Sequence, residues 1–173
     1  MLYFAVRYRR RSDDERPPVI HGSLALELTW TIVPLLLMGV MFVWGSKVFF
    51  HLNRPPDDAM TVSVVGKRWM WKLQHPTGQR EVNELHVPVG RAVKLVITSE
   101  DTIHSFFIPA FRIKQDVLPG RYTTVWFEAT KAGEYVIPCA ELCGFGHSGM
   151  MGRLFVDDPA AYEQWQKEKW PSA

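Results

Sequence analysis

The sequence predicts an all-β sandwich that follows one N-terminal membrane helix and precedes a short C-terminal helix. Three observations support this fold class. One long segment near the N-terminus carries no charge, the later part of the chain contains many short alternating runs rich in β-branched residues, and prolines and glycines separate those runs. Many short strands with turn signals between them are typical of a sandwich or a barrel.

The first 23 residues form a basic segment that we expect in the cytoplasm. Residues 7–16 contain five arginines and three acidic residues, and their net charge of +2 equals that of the whole chain. Because positive charge stays on the cytoplasmic side of a membrane helix, the chain after the helix should lie outside, in the periplasm or its equivalent. Charge confined to so short a segment provides no nucleic-acid-binding surface. The apolar residues 2–6 are too few to span a membrane and are consistent with the remnant of an earlier helix.

Residues 24–51 are predicted to form a transmembrane helix. The nineteen residues 28–46 carry no charge, which is enough to cross a hydrocarbon core. Trp30 and Trp44 lie near the two ends of this run, where indole rings favour the membrane interface. A core helix of a soluble protein is the alternative, but core helices usually show a polar stripe. Here the polar residues lie near the ends of the run, which favours a spanning helix.

The chain after the helix divides into a linker over 52–58, a β domain over 59–157 and a helix over 158–173. Prolines and charged residues fill the linker. Asp158 and Pro159 indicate the start of the last helix, because aspartate caps helices and proline suits a first turn. Six runs of the β domain have the alternation and composition of strands, namely 61–65, 85–89, 92–97, 123–127, 134–137 and 153–156.

The residues best suited to chemistry are concentrated in one segment. Cys139 and Cys143 are the only cysteines, His147 and Met150 follow them closely, and His104 lies further upstream. Two thiolates, two imidazoles and a thioether are soft ligands, which suit copper better than magnesium or calcium. A thiolate has spare lone pairs and can bridge two metal ions, so this pair of cysteines is suited to a two-copper core.

Three other interpretations remain open from the spacing alone. A disulfide fits an oxidising compartment, but it would close only a small loop and leave His147 and Met150 without a role. A structural zinc ion could take the two cysteines with His104 and His147, although the methionine would then be unused. A mononuclear blue-copper site uses one cysteine rather than two.

Three segments carry a resemblance to a known family. The strings C-A-E-L-C-G-F-G-H-S-G-M (139–150), D-T-I-H-S-F-F-I-P (101–109) and K-Q-D-V-L-P-G-R (114–121) resemble subunit II of the haem–copper cytochrome c oxidases. The resemblance covers nearly the whole chain from the membrane helix onward. It implies a cupredoxin-like Greek-key sandwich with a dinuclear copper A centre. It also implies a bacterial inner (plasma) membrane location, with the copper domain on the periplasmic face.

The resemblance implies six metal-binding positions, which are His104, Cys139, Glu141, Cys143, His147 and Met150. The cysteines match the bridging thiolates, the histidines match the terminal imidazoles, and the methionine matches an axial thioether. Glu141 matches the residue whose backbone carbonyl is the other weak ligand. In the family its carboxylate also reaches a magnesium site shared with subunit I, although an acid there would otherwise be ordinary surface charge.

Three further residues match functional positions of the family. Trp69 matches the tryptophan that accepts electrons from cytochrome c, although Trp69 and Trp71 alternate on a predicted strand and could simply pack. Glu27 matches an acid at the cytoplasmic mouth of a proton channel, although an acid at a helix start also complements the helix dipole. Asp101 matches an acidic docking position for cytochrome c. The chain from residue 55 carries 13 basic and 14 acidic groups, which predicts weak electrostatic steering of a basic partner.

The resemblance therefore predicts subunit II of a respiratory cytochrome c oxidase. Such a subunit accepts electrons from cytochrome c at copper A and relays them to haem in subunit I, where oxygen is reduced with proton translocation. The expected partners are subunit I, other oxidase subunits, cytochrome c and membrane lipid. Two alternatives are a copper A subunit of another terminal reductase, such as nitric oxide reductase, and a non-redox metal-binding assembly subunit. The family usually has two membrane helices before the sandwich, so we expect either a chain that begins late or a first helix replaced by another subunit.

Overall fold

The computed structural model describes residues 1–16, 19 and 21–169, in two compact units over residues 1–45 and 46–173. The first unit contains α1 (Leu2–Arg7) and most of α2 (Leu24–Asn53). No residue of either helix is buried. A 30-residue helix is about 45 Å long, which exceeds the thickness of a bilayer core.

The helix α2 is apolar on all sides, as expected for a membrane span. Among the described residues it is the one helix that is long and apolar enough to cross a membrane. It begins where the sequence predicts and ends two residues later than the predicted residue 51. Pro34 lies inside the helix, and Thr29 donates its hydroxyl to the carbonyl of Ala25 at 2.7 Å, which satisfies a polar group within the apolar segment.

Ten strands are described in the second unit. They are β1 (Met60–Lys67), β2 (Met70–Gln74), β3 (Arg80–Val82), β4 (Glu84–Pro88), β5 (Ala92–Ser99), β6 (His104–Ile108), β7 (Ile113–Val117), β8 (Thr123–Glu128), β9 (Gly133–Pro138) and β10 (Met151–Asp157). The helix α3 (Pro159–Lys169) follows, and single turns of 3-10 helix cover Pro109–Phe111 and His147–Gly149.

The strands form a large sheet of order β3-β2-β1-β5-β8, a smaller sheet of order β4-β10-β9 and a β6-β7 ladder. In β5 every second side chain is buried, as expected for a strand with one face on the core. Val93, Leu95 and Ile97 of that strand are fully buried, and they join a core that also contains Phe106 and Leu154. The predicted all-β sandwich, with its N-terminal apolar helix and short C-terminal helix, is confirmed.

The six predicted strands are all present, with ends displaced by at most two residues. Four further strands lie outside these six runs. In β6 four of the five side chains are buried, so the alternation that marks a half-buried strand is missing. Strand β3 has only three residues, and β7 is mostly polar. Strand β2 alternates, because Trp71 and Leu73 face the core while their neighbours do not, which agrees with the strand expected at the two tryptophans, although Trp69 itself precedes β2.

Asn83 connects the two sheets between β3 and β4. Its φ of 60° lies in the left-handed region, which asparagine tolerates better than most residues. The backbone N–H of Trp71 donates to its side-chain oxygen at 2.8 Å, and the N–H of Arg153 donates to its carbonyl at 2.8 Å. This residue therefore fixes β2 of one sheet against β10 of the other.

The C-terminal helix begins at Pro159, as predicted, and the N–H of Tyr162 donates to the carbonyl of Asp158 at 2.9 Å. Tyr162 is buried against the sandwich, and Trp165 is half-buried beside it. The predicted helix extended to residue 173, but residues 170–173 lie outside the described part of the chain. Residues 17, 18 and 20 of the predicted basic segment also lie outside it.

Candidate metal centre

The ligand loop, residues 139–150, connects β9 to β10 at one end of the sandwich. Cys139 pairs with Phe106 of β6 in an isolated bridge, which brings this loop beside His104. The N–H of Cys139 donates to the carbonyl of Met150 at 3.0 Å, so the two ends of the loop are tied together. The loop is thus closed on itself and attached to the strand that carries the distant histidine.

The six residues implied by the resemblance converge in this loop and at the start of β6. The Sγ atoms of Cys139 and Cys143 lie 3.8 Å apart. His104 Nδ1 lies 3.9 Å from the Sγ of Cys139, and His147 Nδ1 lies 3.6 Å from the Sγ of Cys143. The two remaining contacts are from Met150 Sδ to Cys143 Sγ, at 3.8 Å, and from the carbonyl of Glu141 to Cys139 Sγ, at 3.3 Å.

These distances decide between the kinds of site that the donors can form. Both thiols are free, and their sulfur separation is far above the bond length of a disulfide, about 2.05 Å. Metal–thiolate bonds of about 2.3 Å allow two sulfurs 3.8 Å apart to share an ion. Each thiol also faces one imidazole nitrogen, so the donors are arranged as two equivalent halves. This arrangement fits a pair of thiolate-bridged metal ions.

Burial isolates most of these donors from water. His104 and Met150 are fully buried, the two cysteines are nearly so, and His147 is half-buried. Burial, and then the neighbouring thiol of Cys139, raises the pKa of Cys143 to about 11. The thiol is therefore neutral without a metal at neutral pH, and a metal that binds there displaces its proton.

Asp101 orients the upstream histidine. His104 Nε2–H donates to Asp101 Oδ1 at 2.9 Å, which leaves Nδ1 directed at Cys139. The backbone N–H groups of Arg68 and Thr102 also donate to this carboxylate, at 2.8 and 2.6 Å. Burial acts in the opposite direction, but the hydrogen bonds prevail and lower the pKa of Asp101 to about 2. A carboxylate on the outer nitrogen is a common support of a metal-binding histidine.

The two tryptophans on either side of Met70 have different environments. Trp71 is fully buried and makes edge contacts with His104 and Phe106, with ring centroids 5.9 and 5.0 Å apart. Trp69 is 39% exposed and lies against the ligand loop. A Cβ atom on Gly146 would be 2.4 Å from Trp69 Cδ2, so the glycine leaves room for the indole. Trp69 therefore contacts both solvent and the segment that carries His147.

Two glycines of the site were missed by the sequence reasoning. Gly146 makes room for Trp69, and a Cβ on Gly66 would lie 2.9 Å from His104 Cδ2. The G-x-G spacing at residues 144–146, inside the ligand loop, is the signal that could have identified the first. Nothing in the linear sequence marks Gly66, because its neighbour His104 belongs to another strand.

The remaining predicted residues are separate from this cluster or at its edge. Glu27 lies in the first turn of α2, in the first unit. The residue Glu141 is exposed, although its backbone carbonyl contacts a thiol. Around the cluster the loop exposes Leu142 and Phe145, the latter completely. Exposed apolar side chains next to a site of this kind indicate a contact surface.

Comparison with known proteins shows the same family throughout. A family model described as cytochrome c oxidase subunit II, periplasmic domain, matches residues 78–154. Cytochrome c oxidase subunit 2 of Thermostichus vulcanus is 30% identical, over 97% of this chain and 68% of that protein. The corresponding protein of Alkalihalophilus pseudofirmus is 33% identical, over 95% of this chain and 51% of its own length. The chain thus spans about half to two thirds of the curated relatives it matches.

A solved structure supports the same relationship. The periplasmic domain of subunit II of cytochrome oxidase (CoxB) of Bradyrhizobium japonicum aligns with a TM-score of 0.64 and 29% identity. The alignment covers 67% of this chain and 96% of that one. The similarity thus extends over nearly the whole of that solved domain.

Proposed function

Because the chain belongs to the cytochrome c oxidase subunit II family, we propose that it is the electron-accepting subunit of a respiratory, proton-translocating cytochrome c oxidase. In this role it receives electrons from cytochrome c and delivers them to haem in subunit I, where oxygen is reduced. The observation that carries the proposal is the cluster of two thiols, two imidazoles and a thioether at one end of the sandwich.

The donor set fits a dinuclear copper A centre. Cys139 and Cys143 would hold the two ions together with His104 and His147, and Met150 would add a weaker thioether ligand. The buried thioether supports copper over structural zinc, because zinc sites use thiolate, imidazole and carboxylate donors. When bound, the copper pair supplies a one-electron redox couple.

The protein holds these donors in place before any metal arrives. Asp101 fixes the ring of His104 with Nδ1 toward the thiol, and the backbone bonds of Cys139 and Met150 close the loop. Trp71 and Phe106 cover the inner side of the cluster and exclude water. Rigid donors in a dry environment limit the rearrangement that accompanies each change of oxidation state.

Electron donation from cytochrome c is assigned to the exposed face of Trp69. Its indole contacts the ligand loop at Gly146 and is partly open to solvent, so it can contact the donor and the site together. The balance of basic and acidic groups in the domain provides no strong field, while Leu142 and Phe145 offer apolar contacts. Docking should therefore depend weakly on salt. Asp101 is committed to His104, and its part in docking is secondary.

The remaining assignments concern the membrane and the neighbouring subunits. The arginines of residues 7–16 favour a cytoplasmic N-terminus, with α2 in the bacterial inner membrane and the sandwich in the periplasm. Glu27 then lies near the cytoplasmic face, where it can feed a proton channel of subunit I. The exposed carboxylate of Glu141 can contribute to a magnesium site shared with that subunit.

The test is metal content together with the optical spectrum of the full chain in detergent micelles. We expect two coppers per chain and the intense visible absorption of thiolate-bound copper. Ser148→Ala, an exposed position on the same loop, is the matched control and should keep both. One zinc ion, or no metal, would overturn the electron-transfer role and favour an assembly subunit. Oxygen uptake, measured against nitric oxide reduction in the complex purified from membranes, separates an oxidase from the other terminal reductase.

A further inference from the structure

A second cluster of metal-binding side chains lies at the opposite end of β2 and β10 from the copper ligands. Trp69 precedes β2 and His75 follows it, while Met150 precedes β10 and Asp157 ends it. Strand pairing places Glu84 and His86 beside Arg153 and Phe155 of β10, three and five residues from Met150, so the two clusters lie about 10–16 Å apart along that strand. The carboxylates of Glu81 and Glu84 and the imidazole of His86 each offer one donor atom within 4.8 Å of the others.

The two central donors are held by partners on their outer sides. His86 Nδ1–H donates to Asp157 Oδ2 at 2.8 Å, so Nε2 is the nitrogen that faces Glu81. His75 donates to Glu81 Oε2 at 3.0 Å, and Oε1 is the oxygen that faces His86. In each donor side chain, a neighbouring carboxylate or imidazole binds the atom that faces away from the candidate ion. This pattern is typical of metal ligands.

The distance between the facing atoms of His86 and Glu81 suits a metal ion between them. His86 Nε2 and Glu81 Oε1 lie 3.9 Å apart, too far for a hydrogen bond to each other. Two ligands bound at about 2.0–2.2 Å to one zinc ion lie about 3.4 Å apart in a tetrahedral site. A shift of a few tenths of an ångström therefore converts the present spacing into a coordinating one.

Aromatic packing fixes the histidine in this position. The ring of His86 lies between Phe155 and Trp165, stacked with centroids 4.5 and 4.7 Å away and interplanar angles of 13° and 14°. Its side chain remains 15% exposed, so the donor is ordered and still reachable from solvent.

Acidic groups surround the candidate position. The side chain of Glu81 is only 1% exposed, and Asp157 places a second carboxylate on the far side of His86. Carboxylate oxygens and imidazole nitrogens are ligands that zinc takes in proteins.

We propose that Glu81, Glu84 and His86 form a second metal site, for a borderline divalent cation such as Zn²⁺, with His75 and Asp157 as supporting residues. One nitrogen and two oxygens, without sulfur, suit zinc rather than cuprous copper. The ion would join β3 and β4 beneath Trp165 of α3 and so fasten the C-terminal helix to the sandwich. The site is chemically distinct from the thiolate cluster and independent of its function.

The first experiment removes the competing sulfur ligands. Zinc binding is measured by equilibrium dialysis with metal analysis on the full chain in detergent, carrying Cys139→Ser and Cys143→Ser. We expect one zinc per chain, with affinity lowered at least about tenfold by Glu81→Gln and about 10- to 100-fold by Asp157→Asn. Glu134→Gln, an exposed carboxylate paired with Arg153, is the matched control and should leave the affinity unchanged.

The result that overturns the proposal is equal zinc affinity in the parent and in Glu81→Gln, or no zinc bound by the parent. Either result would mean that the cluster is a hydrogen-bonded network without an ion. Asp157→Asn keeps all three ligands, so it decides the matter if circular dichroism shows that Glu81→Gln does not fold. In the copper-loaded chain with its cysteines intact, zinc at this site should leave the visible spectrum unchanged. Failure of that chain to take up copper would count against the proposed electron-transfer role and leave the zinc measurement intact.

Discussion

The two ends of the sandwich collect metal-binding side chains in opposite ways. The thiolate end draws five of its six donor residues from the ligand loop, residues 139–150, and one from β6. The other end draws its three donors from residues 81–86, with Glu81 on β3 and Glu84 and His86 on β4, and its supporting residues His75 and Asp157 from other parts of the chain. Two cysteines, a histidine and a methionine on one loop indicate a metal site by their chemistry, whereas glutamates and a histidine on strands are also common on ordinary sheet surfaces. The kind of donor, and not only its spacing, therefore makes a site visible in a sequence.

The largest expected effect is on metal content, and it distinguishes the two ends of the sandwich. Cys143→Ser should remove both coppers, because one bridging thiolate cannot hold a pair of ions. Metal analysis and loss of the visible absorption measure this. Zinc affinity at the proposed site of Glu81, Glu84 and His86 should stay the same in this variant. Retention of both coppers would contradict the bridging role.

The next effect concerns stability at the end of the sandwich that carries Glu81, Glu84 and His86. Trp165→Ala removes the ring that stacks on His86 and contacts Tyr162, so the free energy of unfolding should fall by about 2–3 kcal/mol. Denaturant unfolding followed by circular dichroism measures the change. The copper spectrum should not change, since the thiolate cluster lies at the far ends of β2 and β10. A simultaneous loss of copper would show that the two ends are not independent.

A smaller effect is expected on electron acceptance. Trp69→Leu should lower the rate of reduction by cytochrome c about tenfold, a rise of about 1.4 kcal/mol in the activation barrier. Stopped-flow mixing of reduced cytochrome c with the copper-loaded chain measures this rate. Tyr122→Leu, at another exposed aromatic residue, should leave the rate unchanged. Equal rates in wild type and Trp69→Leu would place electron donation elsewhere.

The smallest effect tests how closely the indole must approach the loop. Gly146→Ala places a methyl group where Trp69 now packs, so the ring must move away while the ligands stay in place. We expect a fall in the same rate that is smaller than in Trp69→Leu, with both coppers retained. A larger fall than in Trp69→Leu would show that the glycine supports the ligands rather than the ring.

The prediction of the fold succeeded where an element carries its own pattern along the chain. Strand β5 alternates strictly between buried and half-buried positions, and α2 is a long uncharged run, so both follow from simple patterns. Strand β6 was missed because it is covered on both sides, which removes the alternation on which the prediction depends. Burial on two faces is set by which strands pair, and pairing is not encoded locally.

The same division applies to the candidate site. The spacing of Cys139, Cys143, His147 and Met150 alone indicates soft-metal chemistry, because those donors share a short loop. The bond from His104 to Asp101 and the different exposures of Trp69 and Trp71 do not follow from spacing. They depend on how β6 and β2 meet the ligand loop.

The membrane helix, most of the sandwich and the donor-rich loop thus follow from the sequence, because each is encoded in neighbouring residues. The distant residue that joins each cluster follows from the tertiary structure. His104 reaches the thiolates through the bridge between Phe106 and Cys139, and Asp157 reaches His86 through the pairing of β10 with β4. The physical reason is that strand register fixes contacts between residues far apart in the chain, and register is set by the packing of the whole core.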